Sequence, residues 1–203
     1  EVFGKDYILK GKWNQERFGN HHPVVLELGC GKGEYTVGLA RRFREKNFIG
    51  VDIKGSRMWK GARTALSEKL PNVLFLRTHI EQITSFFGPG EVEEIWITFP
   101  DPQLKKKRKR LTSARFLNNY KQFLVNNGLV HLKTDSTELY EYTLELARNN
   151  NLVIRYQTND LYHSGMCNDI LDIKTFYEQQ FLNQGMKIKY LCFELPHEKT
   201  IEE

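Results

Sequence analysis

The chain is short of long apolar runs. None reaches the roughly 18 to 20 consecutive apolar residues of a bilayer-crossing helix, and no secretory-type hydrophobic stretch stands near the start. A cytoplasmic protein without a membrane partner is therefore expected. Cysteine is scarce as well. Cys30, Cys167 and Cys192 are an odd set without C-x-x-C spacing, which argues against a disulfide framework or a zinc ribbon. His163 and Cys167 stand at helical spacing, but two potential ligands without a second pair rarely make a metal site, and no metal is expected. Internal repeats and a second domain are missing too. The first residue is Glu rather than Met, which leaves room for residues upstream.

What is present suits one ordinary domain: 203 residues of which 40% are hydrophobic, enough for a single sizeable core. Lys and Arg number 30 against 25 Asp and Glu, a formal charge of +5. That is a mild bias toward polyanionic partners, and its distribution matters more than its size. Residues 1–22 are polar, basic and without sustained period, and read as a flexible basic arm. Residues 23–203 read as one domain. Short apolar runs at 24–28, 48–51, 73–76, 95–98 and 129–133 have the length of buried parallel strands. Segments 34–44, 56–70, 113–126 and 137–149 show apolar residues at three-and-four spacing, with Asn126-Asn127-Gly128 as a helix stop. Strand and helix in alternation predict a doubly wound α/β sheet with helices on both faces. A strand at 152–157, a helix from Thr175 and a last strand at 188–194 would extend it to seven strands.

Glu27-Leu28-Gly29-Cys30-Gly31-Lys32-Gly33 closes the first strand and opens the first helix, where an open α/β sheet places its ligand. Glycines there let backbone approach the ligand closely. The spacing G-x-G-x-G is one residue shorter than the dinucleotide fingerprint, and Glu27 would repel a pyrophosphate. A ligand with a cationic group fits better than a nicotinamide dinucleotide. Asp52, ending the second strand, can accept both hydroxyls of a ribose. An acid, a glycine loop and a second acid after the next strand resemble the S-adenosylmethionine-binding methyltransferases. The bland alternative is a tight strand-to-helix turn with an incidental Asp. His79 stands after the third strand where such enzymes often carry an acid that contacts adenine, and a neutral imidazole can still hydrogen-bond the base; a structural histidine is the alternative.

Phe99-Pro100-Asp101-Pro102 follows the fourth strand, and two prolines stiffen the turn that carries Asp101. Next come Lys105-Lys106-Lys107-Arg108-Lys109-Arg110, six consecutive cations ahead of a helix start at Thr112 and Ser113. In isolation the run reads equally as a solvated loop, a targeting signal or a functional patch. Beside a cofactor mouth it would neutralise nucleic-acid phosphates.

F-P-D-P, Lys105 and a basic stretch ending R-L-T, His131-Leu132-Lys133-Thr134-Asp135, and Thr175-Phe176-Tyr177-Glu178 occur here in order. Together they resemble the bacterial tRNA (guanine(46)-N(7))-methyltransferases, from Val24 to Glu194. The resemblance implies a Rossmann-like class I S-adenosylmethionine-dependent methyltransferase that modifies a guanine N7 in the variable loop of tRNA. It implies cofactor positions at Glu27, Asp52, His79 and Asp101, beside Gly29, Gly31 and Gly33. Substrate positions would fall on Lys105, Asp135, Thr175, Phe176, Tyr177 and Glu178, with Asp101 as the catalytic residue. The sequence departs from the family in Gln103 for the usual Trp, a basic loop about two residues shorter, and His79 for an acid. Asp135 or Ser136 could equally cap the following helix, and Thr175-x-x-Glu178 matches a capping box. Monomer and homodimer both stay open.

Guanine N7 carries a lone pair and no proton, so methylation needs no base and catalysis reduces to alignment. Asp101 and Asp135 would then accept from guanine N1–H and the amino group. An exocyclic-amine methyltransferase is the enzymatic rival; its site often reads Asn/Asp-Pro-Pro-aromatic, whereas Asp101-Pro102 precedes Gln103-Leu104. A non-catalytic RNA-binding protein is the rival from another class, and the intact carboxylates argue against it.

Overall fold

The chain is described by a computed structural model over residues 5–203. Its apolar runs form seven strands: β1 (Val24–Leu28), β2 (Asn47–Asp52), β3 (Val73–Arg77), β4 (Val92–Thr98), β5 (Leu124–Thr134), β6 (Ile154–Thr158) and β7 (Lys189–Leu195). They make one sheet in the order β3-β2-β1-β4-β5-β7-β6. Strands β1 to β5 pair in parallel, while β7 slots between β5 and β6 antiparallel to both. Every residue of β1 is buried, as both faces of a parallel sheet require cover.

Five helices supply that cover: α1 (Glu34–Arg42), α2 (Gly55–Ser67), α3 (Ala114–Tyr120), α4 (Thr137–Asn149) and α5 (Phe176–Asn183). Successive strand residues face opposite sides, so neighbours in β1 enter different cores. Leu26 joins Ile49, Ile97, Phe116 and Leu139 on the side of α3 and α4. Val25 joins Trp96, Tyr190, Tyr35 and Ala65 on the side of α1 and α2.

Two expectations are corrected. The helix expected over 113–126 stops at Tyr120, and Leu124 already belongs to β5, paired with Val92. Phe123 and Leu124 are fully buried, so strand pairing and burial override the helical spacing. Asn126-Asn127-Gly128 is therefore an irregularity inside a strand: Asn127 has φ 58° and the β4–β5 register shifts beside it. A Cβ on Gly128 would lie 2.5 Å from the Leu124 side chain and 3.0 Å from the Glu93 carbonyl, which explains a glycine there.

The second correction concerns the arm. Residues 1–4 lie outside the described residues, but from Lys5 onward the segment expected to be flexible packs on the domain. Trp13 is buried, donates its indole N–H to the Phe86 carbonyl at 2.8 Å and stacks on Phe87. The Glu91 carboxylate accepts the backbone N–H groups of Gly11 and Trp13. Leu9 is buried beside it, Tyr7 packs on Phe86, and Asn47 donates to the side chains of Asn14 and Asn20, so several contacts order this polar segment.

Candidate active site

Strand order reverses at β1, flanked by β2 on one side and β4 on the other. Ligands of open α/β sheets sit at the carboxyl ends of the strands around such a switch point. A cavity of about 380 Å³ lies there, and Gly29, Gly31, Asp52, His79, Asp101 and Tyr177 are among its walls.

The loop after β1 is shaped by backbone conformation. Gly29 and Gly31 have φ of 77° and 54°, values that side-chain-bearing residues rarely adopt. The Gly29 N–H donates to the Val51 carbonyl at 2.8 Å, tying the loop to β2. Asp52 fixes the rest: its Oδ2 accepts the Gly31 N–H at 2.9 Å and its Oδ1 accepts the Lys54 N–H at 2.8 Å. Each carboxylate oxygen keeps a second lone pair. Gly33 does something else. It precedes α1 with φ 70°, and a Cβ on it would meet the Phe75 ring at 2.5 Å, so it serves the packing of α1.

Glu27 stands under this loop and does not line the cavity. Its side chain is buried and accepts from the Thr36 N–H at 2.8 Å, from the Thr36 hydroxyl, and from the Thr98 hydroxyl at 2.6 Å. Burial raises its carboxyl to about 7 against the lowering effect of these hydrogen bonds. The acid thus joins the start of α1, which follows the glycine loop, to the end of β4, which precedes the Asp101 turn.

That turn begins with Phe99 at φ 47° and ends with Gln103 at φ 46°, both sparsely populated conformations for such residues. Asp101 Oδ1 accepts the Gln103 N–H at 2.9 Å, the side-chain-to-backbone turn that aspartate favours. Its Oδ2 remains for a ligand. Arg110 corrects the reading of the basic run. It is fully buried, donates from Nε to the Pro102 carbonyl at 2.9 Å, pairs with Glu138 and lies over the Tyr142 ring. It braces the turn from behind and takes no phosphate. Lys105 is exposed outside the cavity, while Lys109 reaches its wall.

The remaining expected residues divide. His79 is exposed on the cavity wall. Thr175 and Tyr177 reach the cavity from the start of α5. Phe176 is half exposed; its N–H donates to Glu34 at 2.7 Å and the Lys32 ammonium sits 3.9 Å from its ring centre. Glu178 is wholly buried and completes the capping box with Thr175. Asp135 follows β5, half-buried, and burial raises its carboxyl. It does not line this cavity; its neighbour Ser136 caps α4, accepting the Leu139 N–H at 3.2 Å. The sequence reading missed Ile53 and Arg57, which line the cavity from the segment after Asp52. No motif marks them; only the path of α2 brings them there. Among the described residues no three His, Cys, Asp or Glu side chains gather as a metal site.

This geometry belongs to a methyltransferase. Residues 21–191 match the family described as "Putative methyltransferase". The solved structure of the 16S rRNA methyltransferase KamB superposes with a TM-score of 0.70 over 96% of this chain and 98% of that one, at 17% identity. The particular family follows from closer sequences. The tRNA (guanine-N(7)-)-methyltransferase of Bacteroides thetaiotaomicron is 58% identical over 197 residues, 97% of this chain and 78% of that protein. Its counterpart in Porphyromonas gingivalis is 58% identical over 190 residues, covering 93% and 78%. The chain belongs to the tRNA (guanine-N(7)-)-methyltransferase family.

Proposed function

We propose that the protein transfers a methyl group from S-adenosylmethionine to N7 of a guanine in the variable loop of tRNA. The observation that carries the reading is one cavity walled by the glycine loop, Asp52 and Asp101. Its size suits a nucleoside-sized ligand, and its carboxylates suit a cationic one. The sulfonium supplies an activated methyl, which passes to the N7 lone pair as the neutral thioether departs. Asp52 accepts from the ribose hydroxyls through the lone pairs its backbone partners leave free, and His79 lies where it can meet the adenine edge. Asp101 presents Oδ2 to the guanine N1–H and amino edge, with Thr175 and Tyr177 lining the same cavity. Asp135, at the end of the neighbouring strand, supports the guanine side of the site. Lys105 and the exposed cations after it hold tRNA phosphates. Mass spectrometry of nucleosides from tRNA incubated with the protein and S-adenosylmethionine tests the whole reading: 7-methylguanosine is the expected product, and its absence overturns it.

Asp52→Ala should weaken S-adenosylmethionine binding by about 1.5 to 3 kcal/mol, the scale of a charge-assisted hydrogen bond. The loss includes the slackening of Gly31, which Asp52 holds. Calorimetry decides it, and unchanged affinity would remove Asp52 from the cofactor site.

Replacing Lys105, Lys106 and Lys107 with Gln should weaken tRNA binding and flatten its salt dependence. Each lost phosphate contact lowers the logarithmic slope by about 0.7 to 0.9. Arg110 is left out because it is buried. An unchanged slope with unchanged affinity would make the run a solvated loop.

A further inference from the structure

Thr175 and Tyr177 face the cavity from the first turn of a short helix, and the chain ahead of it, from Ser164 to Lys174, contains no helix or strand. That segment is held by the Tyr35 hydroxyl on the Ile170 carbonyl, by the burial of Leu171 and Ile173, and by a lysine buried inside the domain. Lys133, in β5, has no exposed side-chain surface. Its ammonium donates to the Leu171 carbonyl at 2.6 Å, the Ile173 carbonyl at 3.2 Å and Glu178 Oε2 at 3.0 Å. Glu178 Oε1 also accepts the Tyr162 hydroxyl at 2.6 Å. The Lys133 backbone carbonyl accepts the Phe99 N–H at 2.8 Å, two residues before Asp101. One residue therefore holds two segments that line the cavity, the Asp101 turn through its main chain and the start of α5 through its side chain.

We propose that Lys133 is a positioning residue for methyl transfer, with Glu178 and Tyr162 as its partners: it fixes Thr175 and Tyr177 relative to Asp101 in the shared cavity so that the guanine is held in line. The ammonium has three donors and three acceptors, so it has none to spare for substrate and acts through the segment it pins. Glu178 likewise works from inside the domain and does not touch tRNA. A buried ion pair is a poor source of stability, since its desolvation offsets the attraction, but it specifies one arrangement of the groups around it. The inference rests on the methyltransferase reading of the cavity.

The test uses the full chain in two variants. Lys133→Met with Glu178→Gln removes both charges together, so no lone charge is left buried, and the amide can still accept from Tyr162. It should stay folded but melt below the parent, because the Leu171 and Ile173 carbonyls lose their donor, and it should bind S-adenosylmethionine and tRNA with similar affinity. Its single-turnover methylation rate at saturating tRNA should fall on the order of 100-fold, as expected when reacting groups lose their alignment. Tyr162→Phe, which changes no charge, should lose about five- to tenfold in the same rate, the worth of one hydrogen bond. A folded double variant with the parent's rate would overturn the proposal and leave the pair structural. Should the double variant fail to fold, a parent-like rate in Tyr162→Phe overturns it equally. Failure of the parent itself to form 7-methylguanosine would instead overturn the underlying reading, and this inference with it.

Discussion

Asp101→Asn methylates tRNA slowly while the parent rate stays flat with pH, wherever Asp101 and guanine keep their protonation states. The turn geometry dictates how the variant fails. Asp101 Oδ1 is engaged by the Gln103 N–H, so an asparagine here keeps its carbonyl oxygen on that donor and must place its NH₂ group where Oδ2 was. A donor then faces the N1–H and amino donors of guanine. Loss of such a base contact costs about 1 to 3 kcal/mol, and misalignment of N7 lowers the rate further. A general base would behave differently, imposing its own ionisation on the rate and typically contributing about 100-fold to 10,000-fold. Single-turnover rates against pH for parent and variant separate the two. A parent profile that follows an acidic ionisation lost in Asp101→Asn, with tRNA affinity unchanged, would make Asp101 a proton acceptor.

Much of this turn, and of the glycine loop, is legible in the sequence because both depend on local backbone chemistry. The glycine loop expected between β1 and α1 is there, with Gly29 and Gly31 at positive φ, and prolines flank Asp101. Helix α4 likewise runs Thr137–Asn149, the span its periodicity predicts. What the sequence hides is burial, which belongs to the tertiary structure. Arg110 looks like the five cations before it, yet it alone of the six is buried, between Pro102, Glu138 and Tyr142. Glu178 could be read as a cap or as a substrate ligand. The structure shows the capping box, and the carboxylate also meets a lysine 45 residues away in sequence. The helix expected over 113–126 fails for the same reason: Phe123 and Leu124 have helical spacing but sheet neighbours. The polar segment before His22 lacks any period, and its order comes from tertiary contacts: Trp13 and Tyr7 on Phe86, Leu9 in the core, and Asn47 on Asn14 and Asn20.

Glu27 supplies the last expectation, a loss of stability as pH rises through the neutral range. Its carboxyl, ordinarily at 4.5, is raised to about 7 in the folded protein, chiefly by burial. Between those values the folded chain binds more protons than the unfolded chain, so stability falls as pH increases. Below about 4.5 both states are protonated and the acid is neutral in its effect; above about 7 the full cost of a buried carboxylate is present. The gap corresponds to about 3 kcal/mol. Glu27→Gln has no such ionisation, and its amide can still hydrogen-bond Thr36 and Thr98 from the same place. Urea unfolding of parent and variant between pH 5 and pH 8.5 should therefore show the variant gaining on the parent by about 2.5 kcal/mol as pH rises, the remainder of the gap lying below pH 5. The consequence reaches the site, because Thr36 opens α1 behind the glycine loop and Thr98 ends β4 just before the Asp101 turn. A cationic ligand bound over the glycine loop would favour the charged form of Glu27. Saturating S-adenosylmethionine should accordingly shrink the pH dependence of the parent and leave that of Glu27→Gln unchanged. A difference between parent and variant that stays constant across pH would show that Glu27 is ionised throughout at its ordinary value, and that burial does not govern it.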